Sequence, residues 1–363
     1  MLCNLVERLA QRGISNIVVS TTSSIGENSL RPRIEQSAEF VDLNSASLLS
    51  PRFLTAFHAV LKREKPDIVQ TWMHTAGMSA GFLARILGLH HVVWGIHSKD
   101  LLRFEDKPGI RLLFGRLLGL GAFFFPQKII SCSQAGIDIH HRKYGYPTRK
   151  MVWIGNGVDT DRFHPDPAHG LEWRTQLGIP STAPVIGMVA RFHPVKDIPT
   201  FVRAASLLQK SRKDVHFVFC GGSLDGKAPA DIVEAASELT DPSRFHWLGI
   251  QSQTEKVYPL LDILTVTSVS EAYPMVLIEA MASGVPCVST DVGDASLILG
   301  ELGKVVPSQN PESIALAWES LLNLPPEKMA ALRSRVREYA AREFGLDTCA
   351  SKYEAIYQEL VSR

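Results

Sequence analysis

The sequence predicts an α/β protein of two Rossmann-like domains that face each other across a cleft. Three observations carry this expectation. Apolar runs of strand length alternate with helical patterns along the whole chain, the signature of parallel layering. At 363 residues, with 45% hydrophobic and 21% charged side chains, the chain is long enough for two cores. A proline-bearing stretch, 164–183, separates the runs into two sets and reads as a linker. The expected domains are thus 1–163 and 184–345, with a closing helix, 346–363, that packs back on the first.

The first set of strand-like runs comprises Ile17–Ser20, Phe40–Leu43, Ile68–Thr71, His91–Trp94, Lys128–Cys132 and Met151–Ile154. The second comprises Val185–Val189, His216–Cys220, Phe245–Leu248, Ile263–Thr267 and Val285–Ser289. Helical spacing covers Pro51–Lys65, Thr75–Leu87, Thr200–Lys210 and Pro274–Ser283. The chain opens on a helix, with Leu2, Leu5, Val6 and Leu9 on one face and Gly13 as its cap. In a Rossmann-like half, a central strand and a Gly-rich turn come before that helix. The first domain is therefore expected to lack its first strand, leaving two inner strand edges unpaired or newly paired. Either the reading frame begins about 15–20 residues upstream, by usual strand and turn lengths, or this form is poorly stable and weakly active.

A net charge of +1 hides an asymmetry. Residues 1–160 hold 19 Lys and Arg against 12 Asp and Glu, or +7, and residues 161–363 hold 19 against 25, or −6. A basic first half suits an anionic ligand or lipid headgroups, and it is equally compatible with ordinary surface variation. The five cysteines are scattered, with no CxxC and no zinc spacing, and read as core residues of a cytoplasmic protein. The longest apolar run, Leu117–Phe125, is far short of a membrane span. The expected location is cytoplasmic, at most peripheral on the inner face of a membrane, and no nucleic-acid partner is expected.

The most informative run is Glu271-Ala-Tyr273-Pro274-Met275-Val276-Leu277-Ile-Glu279, followed by Gly284. Pro274 suits a first helical turn and Gly284 a C-terminal cap. The amides of Met275, Val276 and Leu277 are expected to point out of the helix end as a phosphate site. Glu279 lies one turn below and Glu271 in the preceding loop, both able to accept from sugar hydroxyls. Amides for phosphate and carboxylates for hydroxyls are what a sugar nucleotide needs.

Arg191-Phe-His193-Pro-Val-Lys196-Asp197 follows a strand and sets two cations at the mouth of a sheet, able to clamp a diphosphate and stabilise it as it leaves. Gly221–Lys227 matches most of a Walker A loop but has Ala228 where a Mg²⁺-binding hydroxyl belongs. A Gly-rich turn at Gly222, lining the cleft near the diphosphate, is the better reading. Asp159-Thr-Asp161 has the spacing of a metal-binding pair but lies in an Asn-Gly turn, and no metal is expected. His97 follows a strand where a loop enters the cleft, with His74 a weaker candidate. The stretch Ile110–Phe125 reads either as a membrane-interface helix or as a helix packed on the sheet, with Phe123–Phe125 in the core.

Taken together, Gly155–Phe163, Arg191–Asp197, Glu271–Glu279 and Asp291–Asp294 resemble the family-4 retaining glycosyltransferases of GT-B fold, over nearly the whole chain. The likeness is nearest to bacterial members that build exopolysaccharide or lipopolysaccharide. It implies that Arg191 and Lys196 hold the donor diphosphate, that Glu279 takes the ribose hydroxyls and that Glu271 takes the donor sugar. It also implies that His97 touches that sugar from the first domain, and that Gly249 and Ile250 lie by the base. Tyr273 and Pro274 belong to the same donor-binding run. Lys99 departs from the small or polar residue usual in relatives. The implied donor is a UDP- or GDP-linked sugar and the acceptor a glycan or lipid-linked glycan, with no cofactor or metal. The rival readings are a sugar-nucleotide epimerase or phosphorylase of the same fold, or a non-catalytic partner protein that binds nucleotide sugars.

Overall fold

The computed structural model describes residues 1–20, 30–45, 50–101, 107–222, 224 and 228–362, apart from the side chains of Thr75 and Met78. The chain forms two compact units, Met1–Gly157 with Leu346–Arg363, and Val158–Gly345.

The first unit holds β1 (Ile17–Ser20), β2 (Glu39–Asp42), β3 (Val69–Trp72), β4 (Val92–Ile96), β5 (Lys128–Ser131) and β6 (Met151–Trp153). All pairings are parallel, but they make two sheets, β1-β2 and β3-β4-β5-β6. Among the described residues β1 pairs only with β2, and β3 only with β4, so each keeps an edge without a strand. Strand β4 is buried at all five positions, as a parallel strand covered on both faces must be. On one face Phe53 and Phe57 of helix Pro51–Glu64 cluster with Val92 and Ile129. On the other, Leu5 and Leu9 of helix Leu2–Gln11 cluster with Val93, Ile130 and Tyr353. Arg12 ties that helix to the closing helix Leu346–Val361, donating to Asp347 at 3.3 Å and Glu354 at 3.0 Å.

The helix expected over Thr75–Leu87 is interrupted. It runs as His74–Ala76, a π-turn at Gly77–Gly81, and Phe82–Ile86. The cause is Trp94: a methyl group on Gly77 or Gly81 would meet its indole at 3.2 or 2.6 Å, so the two glycines let the backbone press onto the sheet. Helix Pro108–Phe124 packs inward on one side and leaves apolar residues exposed on the other. Gly115, Leu118, Gly119 and Ala122 are buried, while Leu113, Leu117, Leu120 and Phe124 are exposed. Phe123 and Phe124 are therefore not core residues. Only Phe125 packs inward, edge-on against Phe82.

The second unit holds β7 (Val185–Val189), β8 (His216–Cys220), β9 (Phe245–Trp247), β10 (Ile263–Val266), β11 (Cys287–Thr290) and β12 (Lys304–Val306). They form one parallel sheet in the order β12-β11-β10-β7-β8-β9. Numbered from β7 this is 3-2-1-4-5-6 in reverse, the doubly wound order, and its switch point lies between β7 and β10. Strand β12, with two of three residues exposed at a sheet edge, carries no apolar run and was not anticipated. Phe201, Phe217, Phe245 and Trp318 fill the core, with Trp318 Nε1 donating to Thr265 Oγ1 at 2.8 Å.

Residues 164–183, expected as a linker, carry helix Pro167–Leu177 and belong to the second unit. Asp166 caps this helix by accepting from the His169 amide, and Arg174 anchors it to Asp262 at 3.0 Å. Pro167 there stands in the first turn of a helix rather than keeping the chain extended.

Candidate active site

At the switch point the loops after β7 and β10 are laced together. Beyond β7, the His193 ring accepts from the Val195 amide at 3.2 Å and starts the 3₁₀ turn Pro194–Lys196. Asp197 then takes a left-handed φ of 46° to enter helix Ile198–Gln209. From the β10 side, Thr267 Oγ1 shares its proton between the carbonyls of Lys196 and Asp197, at 2.8 and 2.9 Å. The Val269 amide donates to Val195 O at 2.9 Å. These bonds fix the position of Lys196, whose Nζ donates to Glu271 Oε1 at 2.5 Å. Ser268 Oγ donates to the same oxygen at 2.7 Å. Lys196 and Glu271, predicted to hold different parts of a ligand, are thus joined as a partly buried ion pair. Arg191 stands exposed, with no partner among the described residues.

Helix Met275–Ala282 starts one residue later than the sequence suggested. Pro274 is its N-cap, and Leu277 donates its amide to Pro274 O at 3.1 Å. Leu277 is therefore a correction: its amide is spent inside the turn. Those of Met275 and Val276 have no partner among the described residues. At the far end Gly284 takes φ 73° and Val285 donates to Ala280 O at 2.9 Å, closing the helix and delaying β11 by two residues.

Glu279 faces inward from this helix. Tyr258 OH donates to its Oε2 at 2.6 Å, and Oε1 has no partner among the described residues. Burial pushes the Glu279 carboxyl above its usual range, against the pull of the Tyr258 hydrogen bond. Burial first, and then the Glu279 charge, pushes the Tyr258 phenol well up, so it remains a donor. Tyr258 was missed in the sequence because nothing local marks it. Tyr273 is buried beside this helix start.

Glycines shape the neighbouring edge of the site. Gly221, at φ 127°, donates to Gly249 O at 2.8 Å, and a side chain there would strike Ala190 O. Gly222 bridges to Gly249, and a methyl group on it would meet the Phe192 ring at 2.5 Å. Ile250 beyond is 86% exposed. Gly226 and Lys227 of the Walker-like stretch lie outside the described residues. Asp159 Oδ1 accepts from the amides of Asp161 and Arg162, both at 3.1 Å, so it caps a turn. Among the described residues no three His, Cys, Asp or Glu gather as metal ligands.

In the first unit, His97 directly follows β4 with its ring stacked on Trp72, centroids 4.0 Å apart. Burial pushes it down to about 4, and its Nε2 has no partner among the described residues. His74 Nε2 lies 3.2 Å from Ser98 Oγ and 3.3 Å from His140 Nε2. His140 Nδ1 donates to Gly136 O at 2.7 Å, so its Nε2 is the acceptor. Asp100 closes the cluster, accepting from Lys143 at 2.7 Å and from the Tyr144 hydroxyl.

Two family descriptions match the chain. Residues 1–162 match "Glycosyltransferase Family 4" and residues 171–343 match "Glycosyl transferases group 1". A D-inositol 3-phosphate glycosyltransferase of Thermobispora bispora is 28% identical over 237 residues, 62% of this chain and 54% of that protein. EpsF of Bacillus subtilis is 27% identical over 227 residues, 62% of this chain and 56% of that protein. The chain thus spans about half the length of the curated relatives it matches. Among solved structures, a glycosyltransferase from Rickettsia africae superposes with a TM-score of 0.81 at 20% identity, covering 99% of this chain and 94% of that one. Anabaena HepE, solved in complex with UDP-glucose, gives 0.78 at 20% identity, covering 99% and 95%. These likenesses show the fold. With each half matched by its own family description, the chain belongs to the group 1 glycosyltransferases of GT-B fold.

Proposed function

We propose that the protein is a retaining glycosyltransferase, moving a hexose or related sugar from a UDP- or GDP-linked donor to a glycan or lipid-linked acceptor in cell-surface polysaccharide synthesis. The observation that carries this reading is the Lys196–Glu271 pair at the switch point, beside the outward amides of Met275 and Val276 and the carboxylate of Glu279. Arg191 and Lys196 hold the diphosphate, the two amides take its oxygens, and Glu279 Oε1 accepts from the ribose. A bound diphosphate draws Lys196 off Glu271 and frees that carboxylate for the sugar. His97, neutral near pH 7, contacts the sugar by hydrogen bonding. The leaving phosphate takes the acceptor proton on the face it departs from, and the two cations stabilise its charge, so neither a protein base nor a metal is required.

The protein works in the cytoplasm, peripherally on the inner face of a membrane. The exposed stripe Leu113, Leu117, Leu120 and Phe124 with Arg111 and Arg116 on the same helix supports that position. Arg103, a further cation of this basic half, lies outside the described residues.

The test is product analysis with nucleotide-sugar donors, with and without acceptor, in EDTA. Transfer that keeps the anomeric configuration and survives chelation is expected. Interconversion of the donor without acceptor would make the protein an epimerase. Nucleotide binding without any turnover would make it a binding partner.

A further inference from the structure

Tyr258 opens the 3₁₀ turn Tyr258–Leu260 between β9 and β10 and has no exposed surface. The Leu260 amide donates to Val257 O at 3.1 Å and the Leu261 amide to Tyr258 O at 2.9 Å, which closes the turn. Helix Pro167–Leu177 lies directly on it, since a methyl group on Gly170 would stand 2.4 Å from Pro259 O. The Phe163 ring meets the Tyr258 ring at an angle of 62°, centroids 5.8 Å apart. A phenol held on these sides has one place for its oxygen, 2.6 Å from Glu279 Oε2.

Among the described residues no other group donates to the Glu279 carboxyl. Arg162 and Glu255 face it as well, the first favouring its charge and the second opposing it, and they are paired with each other at 2.7 Å. The Cys220 and Cys287 thiols face the phenol from β8 and β11, and burial pushes both up, so they stay neutral. Helix Met275–Ala282 has no ionisable side chain besides Glu279. Glu279 is half-buried, and its Oε1 is neither bonded nor sealed among the described residues.

We propose that Tyr258 is a positioning residue for nucleotide binding: its phenol engages Glu279 Oε2, so that Oε1 alone meets the ribose and a proton reaching the carboxyl must take that ligand-facing oxygen. A protonated carboxyl is a poor acceptor at its hydroxyl oxygen, so with Tyr258 donating to Oε2 the proton settles on Oε1. Oε1 then turns from acceptor to donor, and the ribose hydroxyl loses its partner. Burial already favours that proton, and the phenol bond opposes it. Tyr258 thereby sets how far into acid the donor site works. The proposal rests on the reading of Glu279 as the ribose contact.

The test measures binding of UDP-glucose and GDP-mannose by calorimetry from about pH 5 to about pH 8.5, a span that covers a raised carboxyl. Their diphosphates, esterified at both ends, do not titrate there. The full chain is compared with Glu279→Gln, with Tyr258→Phe and with a form carrying 3-fluorotyrosine at position 258, a phenol of nearly the same shape that donates more strongly. Affinity of the unaltered chain should fall toward acid, and the part of that fall absent from Glu279→Gln belongs to Glu279. In Tyr258→Phe its midpoint should move up by about one pH unit, the worth of a hydrogen bond to a charged group. With 3-fluorotyrosine it should move down. A side chain that only fills space would move it in neither direction. Failure of both nucleotide sugars to bind, or the same pH profile in Glu279→Gln, would remove Glu279 from the donor site and this proposal with it. A Glu279 share of the fall that stays in place in both Tyr258 forms would overturn the role of Tyr258 and leave the ribose contact standing. Should Tyr258→Phe not fold, the fluorotyrosine form decides alone.

Discussion

The ion pair of Lys196 and Glu271 holds two side chains in one place without a ligand, at the cost of occupying both. Arg191 has no such tie. The proposal therefore predicts that Arg191→Ala and Lys196→Ala each lower the transfer rate by about a hundredfold, since each removes charge stabilisation at the leaving diphosphate. They should differ in the free protein. Lys196→Ala leaves Glu271 half-buried beside Ser268 alone and should lower the melting temperature, while Arg191→Ala should leave it unchanged. Rate assays and thermal melts of both variants check this. Glu279 has the opposite balance. Its carboxyl is raised by burial, so keeping it ionised near neutral pH costs stability. Glu279→Gln keeps an acceptor for Tyr258 and removes that charge. It should melt at the same temperature or higher, yet bind nucleoside diphosphate roughly tenfold more weakly by calorimetry, because a charged acceptor makes the stronger hydrogen bond.

At the scale of elements, helix Pro108–Phe124 shows how packing overrides local preference. Glycine is a poor helix former, by about 1 kcal/mol against alanine, and the segment contains four of them. Two serve the packing: a methyl group on Gly119 would stand 1.9 Å from the Tyr144 carbonyl, and one on Gly115 would stand 2.1 Å from the Tyr144 ring. Around Gly109 the space is open. Gly119→Ala should therefore destabilise the first unit by about 1–3 kcal/mol as the helix is pushed off its neighbour. Gly109→Ala should be neutral or stabilising. Denaturant melts that gave the two substitutions the same sign would show that the clash relaxes freely. The helix start at Met275 teaches the same lesson. Pro274 and Gly284 were legible as punctuation, yet the spending of the Leu277 amide depends on how the turn closes.

At the scale of the molecule, burial lowers histidines in both units, His216 and His246 in the second and His74, His97 and His140 in the first, where the depression is largest. His97 is held at about 4 by burial, and His74 at about 3 by burial and by His140. His140 is lowered too, chiefly by burial. All three sit below the usual value for histidine, so the fold prefers them neutral. The stability this contributes is complete above about pH 6.5 and is lost as pH falls toward 4, because the unfolded chain takes up the protons first. The first unit should lose hydrogen-exchange protection across that range before the second does, and His74→Asn should soften the loss. The proposed membrane position predicts co-sedimentation with anionic liposomes that weakens with salt and in Leu117→Asp. By itself, the sequence determined the two parallel α/β units, eleven of the twelve strands among the described residues, and the loops on which a site could lie. Each of these is written in runs of neighbouring residues, as buried strands require continuous apolar stretches and turns require glycine or proline. Only the tertiary structure decided that Lys196 and Glu271 are partners, that Tyr258 holds Glu279, and that residues 164–183 carry a helix, Pro167–Leu177, of the second unit. Among the described residues it also decided that the strands of the first unit fall into two sheets, β1-β2 and β3-β4-β5-β6. Those outcomes join residues far apart in the chain, and local pattern carries no record of which distant group a side chain or a strand edge will meet.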